Sequence, residues 1–298
     1  MLKYLLFSVL LILVSCSNNG HETVPPVPVC EFDEAKADYS VFDDKIDTAP
    51  QKIVAFGDIH GDMTAVIDVL YKSGMIDENL HWKAGETVLV QTGDFLDRGD
   101  DELEIIDYFE KLKGEAESNG GKFYTLNGNH EVMDVGGDFS FVSETGITSF
   151  TDAGLPRELA FTPGGQCARY LSRNFIILDI AGNIFVHGGV FPEDITEGIP
   201  DINKKFSNWM RGTGVHPDDI EMNVLWSREY SLYLDCDLLK QTLDLLGAKR
   251  MIVGHTIQDE INSSCDGLLL RIDTGMFSGF GGPRQALVIE NDTVSFIK

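Results

Sequence analysis

The sequence is poor in positive charge: 23 Lys and Arg stand against 48 Asp and Glu, a formal net charge of −25. A surface that acidic repels phosphate backbones, which excludes nucleic-acid binding through a generic basic face. It does not exclude a small phosphorylated substrate, because a bound cation can reverse the local field. No apolar run approaches the roughly 20 residues of a membrane-spanning helix. The longest is Leu5–Val14, broken only by Ser8. Cysteine is scarce, five in 298 residues, and none is spaced as CxxC, so a thiolate metal site is not expected. Apolar residues make up 43% and charged residues 24%, ordinary globular usage that excludes wholesale disorder.

The short apolar run has a different use. With Lys3 before it, it reads as the hydrophobic region of a signal peptide. Leu13-Val14-Ser15-Cys16 then resembles a bacterial lipobox. The expected organisation is a lipoprotein signal over 1–15, a tether and acidic lead-in over 16–50, and a single catalytic body over 51–298. An exported protein, anchored to a bacterial membrane only through lipidated Cys16, follows. Pro25, Pro26 and Pro28 suit an extended tether, and the seven acidic residues of 31–50 suggest a loosely packed lead-in. Cys30, Cys167, Cys236 and Cys265 remain, with at least one disulfide expected in an oxidising compartment and four reduced thiols as the alternative.

The body alternates strand and helix patterns. Strands are expected at Lys52–Phe56, Thr87–Gln91 and Lys122–Leu126. Helical spacing follows the first over roughly 63–73, and Ile105, Ile106, Phe109 and Leu112 share a helical face after the second. Ala181-Gly182 turns a hairpin between Phe175–Ile180 and Asn183–Val186. A helix over 237–246 leads to a strand over 250–253, and Leu268–Ile272 and Ala286–Glu290 complete a second β-rich set. The fold class is therefore a layered α/β body with mixed sheets.

Polar residues cluster where these strands end. Asp58 and His60, then Asp94, then Asn129 and His130 follow glycines after the first three strands, and His187 and His255 repeat the device later. Ligands of open α/β sheets bind outside the carboxyl ends of strands, so these groups converge. Their mixed nitrogen and oxygen donors suit Mn, Fe or Zn better than Ca or Mg. Asp58, His60, Asp94, Asn129, His187 and His255 are too many for one tetrahedral ion and enough for two if a carboxylate bridges. Two such ions suit in-line phosphoryl displacement.

Gly57-Asp58-Ile59-His60-Gly61, Gly93-Asp94-Phe95-Leu96-Asp97-Arg98-Gly99, Gly128-Asn129-His130-Glu131, His187-Gly188-Gly189 and Gly254-His255 occur in this order. Together they resemble the motif blocks of calcineurin-like metallophosphoesterases, phosphoprotein phosphatase branch, and most of all the bacterial Shewanella-like phosphatases. The resemblance implies a β-sandwich flanked by helices, with the site at one edge. It implies that Asp58 and His60 hold one divalent ion, Asp94 bridges, and Asn129, His187 and His255 hold the other. His130 would be the general acid, Asp97 its support, and Arg98 the grip on the phosphoryl group. Arg228 would be a second phosphate clamp, with an ion pair to Glu229 as the alternative. The implied reaction is hydrolysis of a phosphate monoester, on phosphoprotein or a small ester, by a hydroxide held between the ions. A phosphoanhydride or diester hydrolase on the same centre is the alternative, and a non-catalytic binding lipoprotein a remoter one. Where the eukaryotic branch has an aromatic-bearing loop, this chain has Asp273-Thr274-Gly275-Met276 and a glycine-rich stretch over 278–282. Residues 138–165 and 193–224 carry no motif and are expected to shape the entrance, with Phe139, Phe141 and Phe150 either lining a cleft or packing in the core.

Overall fold

A computed structural model describes residues 29–42, 46 and 49–298; the signal segment, Cys16 and most of the tether lie outside the described residues. In chain order the elements are β1 Lys52–Phe56, α1 Met63–Lys72, β2 Val88–Gln91, α2 Glu102–Ser118, β3 Lys122–Thr125, α3 Asn129–Val135, α4 Glu144–Asp152, α5 Arg157–Phe161 and α6 Gln166–Leu171. Then come β4 Ile177–Ile180, β5 Asn183–Val186, α7 Ile199–Met210, α8 Asp219–Trp226, α9 Glu229–Leu232, α10 Cys236–Leu246, β6 Arg250–Val253, β7 Asn262–Ser264, β8 Leu269–Arg271, β9 Ala286–Glu290 and β10 Thr293–Ile297.

Two five-stranded mixed sheets result, ordered β10-β9-β1-β2-β3 and β4-β5-β6-β8-β7. Strands β1, β2 and β3 run parallel, and so do β5, β6 and β8. Each expected strand is found within two residues of its expected ends, because the strand cores are β-branched or aromatic and the flanking glycines stop them. The strands β7 and β10 were not expected. Both are short or partly exposed edge strands with little apolar signal.

The period of two decides the layers. Ile53 and Ala55 of β1 join Val88, Val90, Phe185, Ile252 and Leu270 in one apolar cluster drawn from both sheets. Val54 and Phe56, alternating with them, join a second cluster with helix residues such as Val66, Ile105 and Phe109. The body is thus a sandwich with helices outside, as the resemblance implied. Each fully buried Leu, Ile or Phe contributes about 1.5–3 kcal/mol.

Within 31–42 Phe42 is buried, and the other residues whose burial is described are exposed or half-buried. Val29, Cys30 and Phe42 are buried, and Cys30 is disulfide-bonded to Cys167 on α6. A second disulfide joins Cys236 to Cys265, so the expectation of at least one is met twice over. The motif-free segments fold as α4 and α5 and as α7 and α8. Among the described residues no helix is long and apolar enough to cross a membrane.

Candidate active site

The parallel strands deliver their carboxyl ends to one edge of the sandwich. Asp58 follows β1, Asp94 follows β2, Asn129 opens α3 after β3, His187 follows β5 and His255 follows β6. All five are buried, with His60 and His130 beside them. The loops that carry them bend sharply. His60, Asp94, Asp97, Arg98 and His255 all sit at φ between +45° and +67°, a region non-glycine residues seldom enter. Gly128 has no room for a side chain, since a Cβ there would lie 2.2 Å from Asp94 Oδ1.

Each metal-directed histidine is held by a backbone carbonyl on one ring nitrogen. His60 Nδ1 meets Leu96 O at 3.1 Å, His187 Nδ1 meets Thr92 O at 2.9 Å, and His255 Nε2 meets Trp226 O at 3.1 Å. That fixes the tautomer and leaves the opposite nitrogen free to bind a cation. Asp94 Oδ2 is the common point: it lies 3.2 Å from His187 Nε2, 3.8 Å from His60 Nε2 and 3.9 Å from His130 Nε2. Two groups of potential ligands, His60–Asp94–His130 and Asp94–His187–His255, share it. Asn129 Oδ1 is 3.1 Å from His187 Nε2, and Asp58 accepts the His255 backbone N–H at 3.2 Å.

The charges of this cluster call for a cation. Burial, then Asp273, pushes the Asp58 carboxyl well above its usual range. Burial alone would raise Asp94 too, but His187 and His130 hold it well below. Burial opposes the charging of His187, yet Asp94 and Asp58 outweigh it and lift the ring to about 10. His60 and His255 are driven down to about 3, chiefly by burial. His60 and His255 thus face the buried carboxylates as neutral imidazoles, and the proton that Asp94 and Asp58 draw onto His187 occupies the place a cation would take, so the residues present fit divalent ions.

His130 stands apart from the other histidines. Its Nδ1 meets Asp97 Oδ2 at 2.6 Å, a carboxylate instead of a carbonyl, and its Nε2 faces Arg98 Nη2 at 3.3 Å. A guanidinium at Nε2 opposes a metal there. Burial lowers the imidazole, but Asp94 and Asp97 together raise it above the ordinary histidine value. Arg98 is stacked between Phe141 and Phe280, at 4.8 and 5.3 Å, and its buried Nε has no hydrogen-bond partner among the described residues.

A cavity of about 310 Å³ opens over these groups, lined by Asp58, His60, Asp94, Arg98, His130, Arg228, His255 and Phe280 among others. Asn129 and His187 lie beneath it and Asp97 behind it, so nine of the expected residues line or underlie one cavity, and Asp97 backs it. Arg228 does not pair with Glu229; its Nη1 donates to His255 O at 2.6 Å and it faces the cavity.

Sequence reasoning missed several contributors. The glycine-rich stretch does carry an aromatic to the site: Phe280 lies edge-on to His60 at 5.8 Å, backed by Phe277. Phe141 is 44% exposed beside His130, whereas Phe150 is core and Phe139 packs on Arg157, so the three phenylalanines divide between the two expectations. Asp273 lines the cavity wall after β8, its carboxyl raised to about 6 by burial. Glu131 accepts backbone N–H groups from Asp94, Phe95, Leu96 and Gly128 and so shapes the whole Asp94 turn. Its position three residues after Gly128, where a capping glutamate belongs, was the available signal.

The sequence profile of calcineurin-like phosphoesterases matches residues 51–259. Shewanella-like protein phosphatase 2 of Arabidopsis thaliana is 35% identical over 298 residues, covering 82% of this chain and 76% of that protein. Shewanella-like protein phosphatase 1 of Plasmodium berghei is 32% identical, covering 78% of this chain and 69% of that protein. The crystal structure of a cold-active protein-tyrosine phosphatase from a psychrophilic Shewanella superposes with a TM-score of 0.74 at 25% identity, covering 87% of this chain and 85% of that one.

Proposed function

Because this chain belongs to the calcineurin-like phosphoesterase family and is a metal-dependent phosphatase, we propose that it hydrolyses phosphate monoesters at the cavity described above, with two divalent ions sharing Asp94. Asp58 and His60 would hold one ion, and Asn129, His187 and His255 the other. Bound there, the ions supply a nucleophilic water at neutral pH and neutralise charge on the phosphoryl oxygens. Mn, Fe and Zn all suit the donor set.

The chain's own residues perform the rest. Arg98 presents a planar fork of donors, its Nε free, to a phosphoryl group entering the cavity, and Arg228 lines the same cavity. His130 would hold a proton for the departing oxygen, its imidazole raised above the ordinary histidine value by Asp94 and Asp97. Phe141 and Phe280 flank Arg98, so a phosphate on an aromatic ring, such as a phosphotyrosine side chain, finds apolar walls on the way in. The structural neighbour named a protein-tyrosine phosphatase supports that preference.

The observation that carries the reading is His130 placed between Asp97 and Arg98 beside the shared Asp94. His130→Ala should keep its metal content and lose about 10²–10⁴-fold on an alkyl phosphate, which needs a protonated leaving group. The loss on nitrophenyl phosphate should be much smaller. Loss of metal, or equal loss on both esters, would count against the acid role.

We further propose that Cys16 is lipidated and anchors the exported protein. The two disulfides support an oxidising compartment. Mass spectrometry of membrane-extracted protein should find an acylated N-terminal cysteine; a soluble chain beginning elsewhere would exclude the anchor.

A further inference from the structure

The carboxylate behind His130 does not stand alone. Asp97 has three handles, and two of them are held by a buried pair from other elements. Its Oδ2 meets His130; its backbone N–H donates to Glu102 Oε1 at 2.6 Å; its Oδ1 accepts from Arg157 Nη2 at 3.1 Å. Arg157 is 1% exposed and grips Glu102 with both arms of its fork, Nη1 to Oε2 and Nη2 to Oε1 at 2.5 and 3.0 Å. The same Nη2 reaches Asp134 Oδ2 at 2.5 Å. One guanidinium therefore ties three carboxylates together, all of them fully buried.

Arg157 itself has little freedom. Its guanidinium lies against the rings of Phe161, Phe150 and Phe139 at 4.8, 5.0 and 5.7 Å. It is carried on α5, in the segment 138–165 that holds none of the family's motif blocks. That segment also supplies Phe141, whose carbonyl accepts the Arg98 backbone N–H at 2.9 Å. The loop holding Asp97 and Arg98, both at positive φ, is thus secured from behind by Arg157 and from the side by Phe141. Neither hold is intrinsic to the loop.

We propose that Arg157 is a positioning residue for the reaction: it orients Asp97, and through Asp97 the His130 imidazole, toward the leaving group. The inference rests on His130 being the proton donor. A lysine at 157 would keep the positive charge but lose the fork, and a single ammonium cannot hold Glu102 and Asp97 in these planes together. Burial makes the cluster costly to break, since losing this guanidinium leaves three carboxylates facing one another.

The test is the ratio of alkyl- to aryl-phosphatase activity, which a purely structural residue would leave alone. Arg157→Lys should retain the parent's metal content and circular dichroism, lower that ratio about tenfold, and change the KM for nitrophenyl phosphate less than twofold. An unchanged ratio in a folded, metal-loaded Arg157→Lys protein overturns the proposal. If Arg157→Lys does not fold, the double variant Glu102→Gln/Arg157→Met, which removes one charge of each sign, is measured the same way. Failure of both to fold assigns Arg157 to stability alone and also overturns it. His130→Ala is the control: if it keeps the ratio, the proton-donor reading falls and this inference with it. If His130→Ala lowers the ratio and Arg157→Lys does not, only this inference falls.

Discussion

The Nδ1 nitrogen of His187 lies 2.9 Å from the carbonyl of Thr92, a hydrogen bond that joins the end of β5 in one sheet to the end of β2 in the other. His187 donates and Thr92 accepts, so Nε2 is directed toward Asp94 and Asn129. The bond crosses the seam between the sheets at the point where the site forms. Ligand geometry and sheet packing are therefore one arrangement, and a change in either reaches the other.

Asp94 is the single carboxylate common to both ligand groups, so Asp94→Asn should weaken both ions together. A neutral amide is a poor bridge between two cations. Elemental analysis after dialysis should show fewer than one tightly held ion per chain, against two in the parent. Retention of both ions would remove Asp94 from the bridging position.

Gly128→Ala should disable the site without unfolding the sandwich. The new Cβ would meet Asp94 Oδ1 at 2.2 Å and Asp94 N at 2.6 Å, and neither can retreat while Glu131 holds the turn. A loss of 10²-fold or more in kcat, at the order expected for a misplaced catalytic group, should accompany reduced metal content. A variant of parental activity would show that the turn yields.

Phe280→Ala should raise the KM for an aryl phosphate about fivefold and that for a small alkyl phosphate much less, since it removes one aromatic wall beside Arg98. Steady-state kinetics on the two esters decide it. An equal change on both would mean that the ring serves Arg98 and not the substrate.

Lys113 belongs to no motif block, and its Nζ donates to Thr125 Oγ1 at 2.8 Å beside the Tyr170 ring. Burial, then Arg173, lowers it from 10.5 to about 7. At this group the unfolded chain therefore binds one more proton than the folded one between pH 7 and 10.5, and the Lys113 contribution to stability rises with pH across that window. Lys113→Met should stabilise the protein by about 1–2 kcal/mol near pH 6.5, the gain shrinking toward pH 10. Urea unfolding with the disulfides intact, at pH 6.5 and 9.5, measures it. A gain equal at both pH values would rule out the buried-charge explanation.

Much of this was fixed by local sequence. Strand cores such as Lys52–Phe56 and Asn183–Val186 declare themselves by β-branched residues ended by glycine, and Asp58, Asp94, Asn129, His187 and His255 are identified because strand ends are where parallel sheets present ligands. His130 is legible as a neighbour of these groups, and Asp97 through the resemblance of the Gly93–Gly99 block to a known family. What the sequence could not decide is which distant side chain completes each one. Arg157 is 60 residues from Asp97 in a segment without motifs, and Phe280 lies in a stretch that reads as glycine-rich. Which ring nitrogen each histidine offers depends on carbonyls of Leu96, Thr92 and Trp226, groups every residue possesses. Backbone carbonyls and single buried charges leave no periodic trace in a sequence. Their partners are chosen only when packing brings two sheets and their helices together and every buried polar group must find one.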